Sequence, residues 1–264
     1  MEFRPRVWRS FVAAFVFAGA VCWVAASTAQ SESTATLSIR GKKQSLRTFG
    51  PRSGDPIIVS SSDGGWVRLA PHVAEVLAAK GFFVVGLDVK TYLESFTSGT
   101  TTLRAEDEPA DYRVLADFAA QTTHKQPILI GVSEGAGLSV LAATDPKTKS
   151  AIAGVIALGL PDLSELGWRW KDSLIYVTHG VPNEPTFRTS ALIGKVTPVP
   201  LGVIHSTHDE FFSVAEVQKL FGGLQEPKKI WVVDAVDHRF SDNLTEFDRH
   251  LVEAVAWVQQ NAQR

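Results

Sequence analysis

The chain has 264 residues, 45% of them hydrophobic and 20% charged, with a formal net charge of −2. That balance describes a globular chain rather than a disordered one. With no run rich in lysine and arginine, it gives no reason to expect a nucleic-acid partner.

The first thirty residues stand apart. Arg4, Arg6 and Arg9 precede an uncharged stretch from Phe11 to Ala26, followed by Ser27, Thr28, Ala29 and Gln30. Basic, apolar and small residues in that order predict a secretory signal over residues 1–29, cleaved after Ala29. The alternative is an uncleaved membrane anchor, for which the stretch is somewhat short, since a span needs about 20 residues. Val21 before Cys22 is a poor lipoprotein box, and Pro5 separates Arg4 from Arg6, so there is no twin-arginine pair. The expected location is periplasmic or secreted, with residues 30–264 forming one domain. Removal of the leader takes with it Cys22, the single cysteine. No disulfide, cysteine nucleophile or thiolate metal site could then form.

Residues 36–40 and 44–49 alternate apolar and polar around Gly41-Lys42, which predicts a hairpin. Pro56 to Ser60 is a short β-branched strand running into a Ser/Asp/Gly turn. Leu69 to Lys80 has helical spacing and is stopped by Gly81. Strands are predicted at 82–87, 127–131, 153–158, 200–205 and 229–233, and helices at 111–120, 136–143, 214–221 and 244–259. Residues 161–198 are irregular, carry Trp168, Trp170 and several prolines, and are expected to form part of a lid or pocket wall. Continuous apolar strands alternating with helices predict a mostly parallel central sheet covered on both faces. An antiparallel start followed by βα repeats is the order of the α/β-hydrolase fold.

The strongest chemical signal is Gly131-Val132-Ser133-Glu134-Gly135, after the strand Pro-Ile-Leu-Ile and before a helix of small residues. In a G-x-S-x-G elbow the serine sits on a strained strand-to-helix turn, exposed at the sheet edge. An ordinary βα turn is the bland alternative. Ser133 is the expected nucleophile, and a hydroxyl needs a base to take its proton. His238 follows the last strand, where the fold keeps that base. Asp209, after the preceding strand, is the expected acid that orients the imidazole, with Glu210 and Asp237 as weaker candidates. His205 and His208 beside Asp209 make a poor metal set without a third clear ligand. His72, His124 and His250 fall in or beside helices, and His179 lies in the irregular segment. No metal and no cofactor are expected.

The oxyanion hole needs two backbone donors. The Glu134 N–H, directly after the nucleophile, is one. The other is expected from the loop after the 56–60 strand, at Asp63 or Gly64. Asp63, Glu134 and Trp66 are also expected to meet substrate, and either carboxylate could pair with an ammonium group. Alternatively, Asp63 caps a turn and Glu134 faces solvent at a helix start, where acids are favoured anyway.

The Asp63-Gly64-Gly65-Trp66 loop, the Gly86-Leu87-Asp88 strand end with Tyr92 nearby, and the Gly131–Gly137 elbow resemble the bacterial virulence protein family of VirJ and AcvB. The resemblance runs from about Ile57 to the C-terminus. It implies a periplasmic α/β-hydrolase domain acting on aminoacylated phospholipid, chiefly lysyl-phosphatidylglycerol. The chain departs from the family at Glu134, where an aromatic residue is usual.

The expected activity is ester hydrolysis through an acyl-enzyme, on a small-molecule or lipid ester, with contact at a membrane surface. The alternatives are a non-catalytic exported binding protein of the same fold, or a serine peptidase or thioesterase using the same site.

Overall fold

The computed structural model describes residues 32–170 and 184–262. The expected leader and His179 lie outside them. Strands β1 (Ser33–Ile39) and β2 (Lys42–Phe49) form the opening hairpin. Its turn is Arg40-Gly41, one residue earlier than the composition suggested, with φ of 46° and 78°. Two successive left-handed residues are what a two-residue hairpin turn demands.

Strands β3 (Pro56–Ser60), β4 (Phe83–Leu87), β5 (Ile128–Val132) and β6 (Gly154–Leu158) are each buried along their whole length. So is β9 (Leu201–Ser206), while β10 (Lys228–Val233) at the edge is buried only in part. The eight strands make one sheet in the order β1-β2-β4-β3-β5-β6-β9-β10. The first two pairings, β1 with β2 and β2 with β4, are antiparallel. The rest are parallel. The carboxyl ends of the parallel strands therefore share one edge, the usual place for a site in an open α/β sheet.

Helix α1 (Leu69–Ala79) and the last helix, α7 (Leu244–Ala262), pack on one face around Ile57, Val59 and Ile130. Helices α2 (Val89–Phe96), α3 (Glu108–Ala119), α4 (Glu134–Ala142) and α6 (Val214–Gly222) cover the other, against Ile58, Val85 and Leu129. Neighbouring strand residues thus bury in opposite directions, which is why the strands read as unbroken apolar runs. A short helix, α5 (Pro146–Lys149), starts at an Asp145 cap. Helix α2 escapes the periodicity argument because it is short and mixes charged residues with apolar ones. Its start is nevertheless marked, since the Asp88 side chain accepts the Thr91 N–H.

The 161–198 segment is not wholly irregular. Strands β7 (Leu163–Glu165) and β8 (Thr186–Arg188) pair antiparallel beside α4. Trp168 donates its backbone N–H to Thr97 and lies under the Lys90 ammonium, whereas Trp170 is exposed. Among the described residues no helix is long and apolar enough to cross a membrane.

Candidate active site

Helix α4 begins at Glu134, immediately after Ser133. Ser133 has φ 51° and ψ −112°, a strained backbone for a residue with a side chain, of the kind that costs about 1–3 kcal/mol and is held only by its surroundings. The flanking glycines supply that hold. A Cβ on Gly131 would stand 2.1 Å from the Gly135 carbonyl oxygen, and one on Gly135 would stand 2.5 Å from the carbonyls of Ser60 and Ser61. The turn is thus packed too tightly for any other residue at either position. The Ser133 N–H donates to the Leu158 carbonyl at 2.9 Å, which ties the elbow to the end of β6. The Glu134 N–H, first of its helix, has no carbonyl one turn back to bond.

The residue after Leu158 is where the imidazole lies. A Cβ on Gly159 would meet Cε1 of His238 at 2.4 Å, so the ring rests directly on the glycine backbone. Nδ1 of His238 is 2.5 Å from an Asp209 carboxylate oxygen. Nε2 is buried and has no hydrogen-bond partner among the described residues. The structure thus joins Asp209 to His238 and brings Ser133 to the neighbouring strand end. It does not close a hydrogen bond between Ser133 and Nε2, a contact that ligand-free sites often leave open.

The Asp209 side chain is fully buried. Its second oxygen accepts the N–H groups of Phe211 and Phe212 at 2.9 and 3.1 Å. Burial alone would raise its pKa, but the bonds from His238 and the Phe211 amide outweigh it and hold the carboxyl below its ordinary value. Glu210, the rival acid, instead accepts the backbone N–H of His238 at 2.9 Å. Asp237 caps its own turn through the amides of Arg239 and Ser241. His208 turns away to Thr207 and the Ala235 carbonyl, so it does not converge with His205.

The two acids expected beside the nucleophile occupy different settings. Glu134 is buried, not solvent-facing, and its carboxyl accepts the Glu165 N–H of β7 at 2.8 Å. Burial, then the charges of Asp63 and Glu165, push its pKa well up. Asp63 is only partly buried. Desolvation raises its pKa, while the amide of Gly64, its own amide, and the charges of His238 and Arg239 pull the other way. Asp63 therefore lies within electrostatic reach of both Glu134 and the imidazole. Its own carboxyl also meets the two amides expected to complete the oxyanion hole.

Trp66 corrects the sequence reading. It is a core residue, not a pocket wall: its indole covers Gly86, stacks on Phe49 at 6.1 Å and is almost fully buried. Its backbone N–H reaches Asp88 at 3.3 Å, so the Asp-Gly-Gly-Trp loop and the Gly-Leu-Asp strand end lock together. Tyr92 is likewise a brace, donating its hydroxyl to Asp111, which also takes the Arg40 guanidinium.

Two residues near the site escaped sequence reasoning. His205 is buried beneath Asp209, 3.7 Å from its carboxylate, and hydrogen-bonds the Phe212 carbonyl. Burial lowers its pKa despite the opposing pull of Asp209. Phe211 stands edge-on to His238 with ring centroids 5.1 Å apart. The four-residue spacing from His205 to Asp209 was a usable signal for the first of these. Nothing marked Phe211.

The strand order, the elbow after β5 and the Asp–His pair at the ends of β9 and β10 define the α/β-hydrolase fold. Solved structures agree. The chain is similar to an esterase domain from a Rhodothermus marinus protein, with 18% identity, a TM-score of 0.58, and 87% of this chain and 98% of that one covered. An esterase of Pyrococcus furiosus is 17% identical with a TM-score of 0.65, over 86% of this chain and 91% of that one. A membrane phospholipase A described as a bacterial virulence factor is 12% identical, TM-score 0.61, with 86% and 87% covered. Residues 56–172 match the family model of the bacterial virulence protein VirJ, which contains the Asp63–Trp66 loop and the elbow. No curated protein matches the chain in sequence.

Proposed function

We propose that the protein is a serine hydrolase that cleaves an ester through an acyl-enzyme. The observation that carries this reading is the His238 ring, held at Nδ1 by Asp209 with Nε2 left unpartnered beside the strand end that carries Ser133. Ser133 Oγ attacks the ester carbonyl while His238 Nε2 takes its proton. The proton then passes to the leaving alcohol, and water, deprotonated by the same nitrogen, releases the acid and restores Ser133. Asp209 keeps the proton on Nδ1 and stabilises the imidazolium. The Glu134 amide, with that of Asp63 or Gly64 turned from its own carboxyl, stabilises the oxyanion.

The acyl group that suits this site is aminoacyl, on a phospholipid such as lysyl-phosphatidylglycerol. What supports it is the match to the VirJ family together with the two carboxyl groups, Asp63 and Glu134, beside the nucleophile. The Glu134 carboxyl is bonded inward to the Glu165 N–H, so Asp63 is the one that meets an ammonium. Residues 1–29 would export the chain to the periplasm, and N-terminal sequencing of the exported protein should begin at Gln30.

A fluorophosphonate probe should label the wild-type chain and not Ser133→Ala. Labelling that persists in the variant removes Ser133 from the reaction. No labelling of either protein would favour a binding protein that kept the fold without turnover. Asp63→Asn should weaken hydrolysis of cationic aminoacyl esters much more than of neutral esters. Equal losses would overturn the aminoacyl reading while leaving the hydrolase intact.

A further inference from the structure

His205 takes no part in the proton transfers, yet it lies against the acid that governs them. It is the fifth residue of β9 and fully buried. Along that strand Val203 packs on the sheet face covered by α6 and Ile204 on the other, so alternation turns His205 toward the α6 face. Phe212, partly buried against the same core, stands edge-on to its ring with centroids 6.5 Å apart.

Nε2 of His205 hydrogen-bonds the Phe212 carbonyl. A carbonyl only accepts, so Nε2 carries the ring proton. Nδ1 is buried with no hydrogen-bond partner among the described residues. A second proton there would find no acceptor, and burial lowers the pKa of the ring against the pull of Asp209. The ring is therefore a neutral imidazole in one fixed tautomer. Neutrality matters, because Nε2 is 3.7 Å from the Asp209 oxygen that meets His238. A charged ring at that distance would draw on the carboxylate that the His238 imidazolium needs.

Phe212 links the two histidines. Its carbonyl takes the His205 N–H, and its own N–H donates to the other Asp209 oxygen at 3.1 Å, beside the Phe211 N–H at 2.9 Å. Those two amides fix the plane of the carboxylate and leave its remaining oxygen for Nδ1 of His238. Glu210 and Phe211 within this turn are exposed, so the bond to His205 ties its far end to the sheet.

We propose that His205 is a positioning residue: by holding the Phe212 carbonyl it sets the turn whose amides aim Asp209 at His238. The inference deepens the hydrolase reading and rests on it for any effect on turnover.

Three variants separate the hydrogen bond from the bulk of the ring. The glutamine amide nitrogen reaches as far as Nε2, the asparagine one only as far as Nδ1, and leucine has no donor. With a soluble ester, His205→Leu and His205→Asn should each lower kcat about 10²-fold, as for a reacting group misplaced by about 1 Å, with KM unchanged. His205→Gln should recover most of that loss. In proton NMR, the far-downfield signal of the His238 Nδ1–H, assigned by its absence in His238→Ala, should shift upfield or broaden in the Leu and Asn variants. In the Gln variant it should persist.

Wild-type kcat with an unmoved signal in the Asn variant would overturn the proposal. So would equal losses in all three variants, which would make the bulk of the ring, not its N–H, the requirement. A rise in KM at unchanged kcat would overturn it too, by setting His205 against substrate. Should the Leu variant fail to fold, the Asn and Gln pair decides. A wild-type chain that neither hydrolyses esters nor takes a fluorophosphonate label, while the signal responds as stated, sinks the hydrolase reading alone. Turnover that survives the Asn change untouched sinks the positioning role alone.

Discussion

Asp209→Asn tests the site most directly, because the change is nearly isosteric and its consequence can be worked out atom by atom. One carboxylate oxygen of Asp209 accepts two backbone amides, at 2.9 and 3.1 Å, and the other meets Nδ1 of His238 at 2.5 Å. Asparagine has one acceptor oxygen. Turning it toward His238 would set the N–H groups of Phe211 and Phe212 against an NH2 and lose two hydrogen bonds, at about 0.5–1.5 kcal/mol each. The cheaper arrangement keeps the oxygen on the amides of Phe211 and Phe212 and points the NH2 at Nδ1. Nδ1 must then accept, which moves the ring proton to Nε2, the nitrogen that has to receive the proton of Ser133. Fold and packing survive, and the tautomer is inverted. The corresponding change in a serine protease lowers kcat about 10⁴-fold, or about 5.5 kcal/mol of barrier. A similar loss is expected here with a soluble chromogenic ester at neutral pH, together with a melting temperature close to wild type. A loss smaller than tenfold in a folded variant would refute the assignment of Asp209.

Other expectations follow from single contacts. Gly159→Ala would bring a Cβ to 2.4 Å from His238 Cε1, and at φ 59° the backbone also disfavours a side chain. A ring displaced by about 1 Å should cost on the order of 10²-fold in kcat, and unchanged steady-state kinetics would show that the ring does not act from where it lies. Glu108 is fully buried with neither carboxylate oxygen partnered among the described residues, and burial, then Asp111, push its pKa well up. The folded state therefore holds this proton more tightly than the unfolded chain does. Its contribution to stability is complete below the ordinary glutamate pKa and is lost as pH rises toward the elevated value. Glu108→Gln should flatten that part of the stability–pH curve in urea titrations; an unchanged slope would count against it. Glu134→Ala should release β7 from α4 by removing the acceptor of the Glu165 N–H, at about 1 kcal/mol. Glu134→Gln, which keeps an acceptor, should not, and amide exchange at Glu165 distinguishes the two.

Much of the fold was legible in the chain because its signals are local. Strand β3 reads from five apolar or small residues between turn signals, and the helix after Ser133 from its run of small side chains. The elbow was legible from its residue types at fixed spacing, although only Gly131 is demanded by a contact within the turn, and Gly135 answers to the distant carbonyls of Ser60 and Ser61. Helix α2 and the β7–β8 pair were not, since one is short and the other depends on a partner more than twenty residues away. Trp66 misled because an aromatic residue beside a Gly-rich loop reads equally well as a pocket wall or a core plug. The difference lay in Gly86, bare of a side chain and placed opposite it by the β3–β4 register.

Residue types and their order thus determined the α/β alternation, the strained serine turn and the candidates for acid and base, each being a matter of neighbours along the chain. Position along the chain made Asp209 the expected acid ahead of Glu210 and Asp237, but the contact with the imidazole itself was decided by tertiary structure, where the backbone amides around the three acids divide the work. Two amides and a ring nitrogen converge on Asp209, while its rivals are consumed by nearby N–H groups. Burial made the other choice, turning Glu134 from a solvated helix-start acid into one that is desolvated, raised in pKa and bonded to β7. Partners and desolvation arise from groups distant in sequence, and no local pattern encodes them.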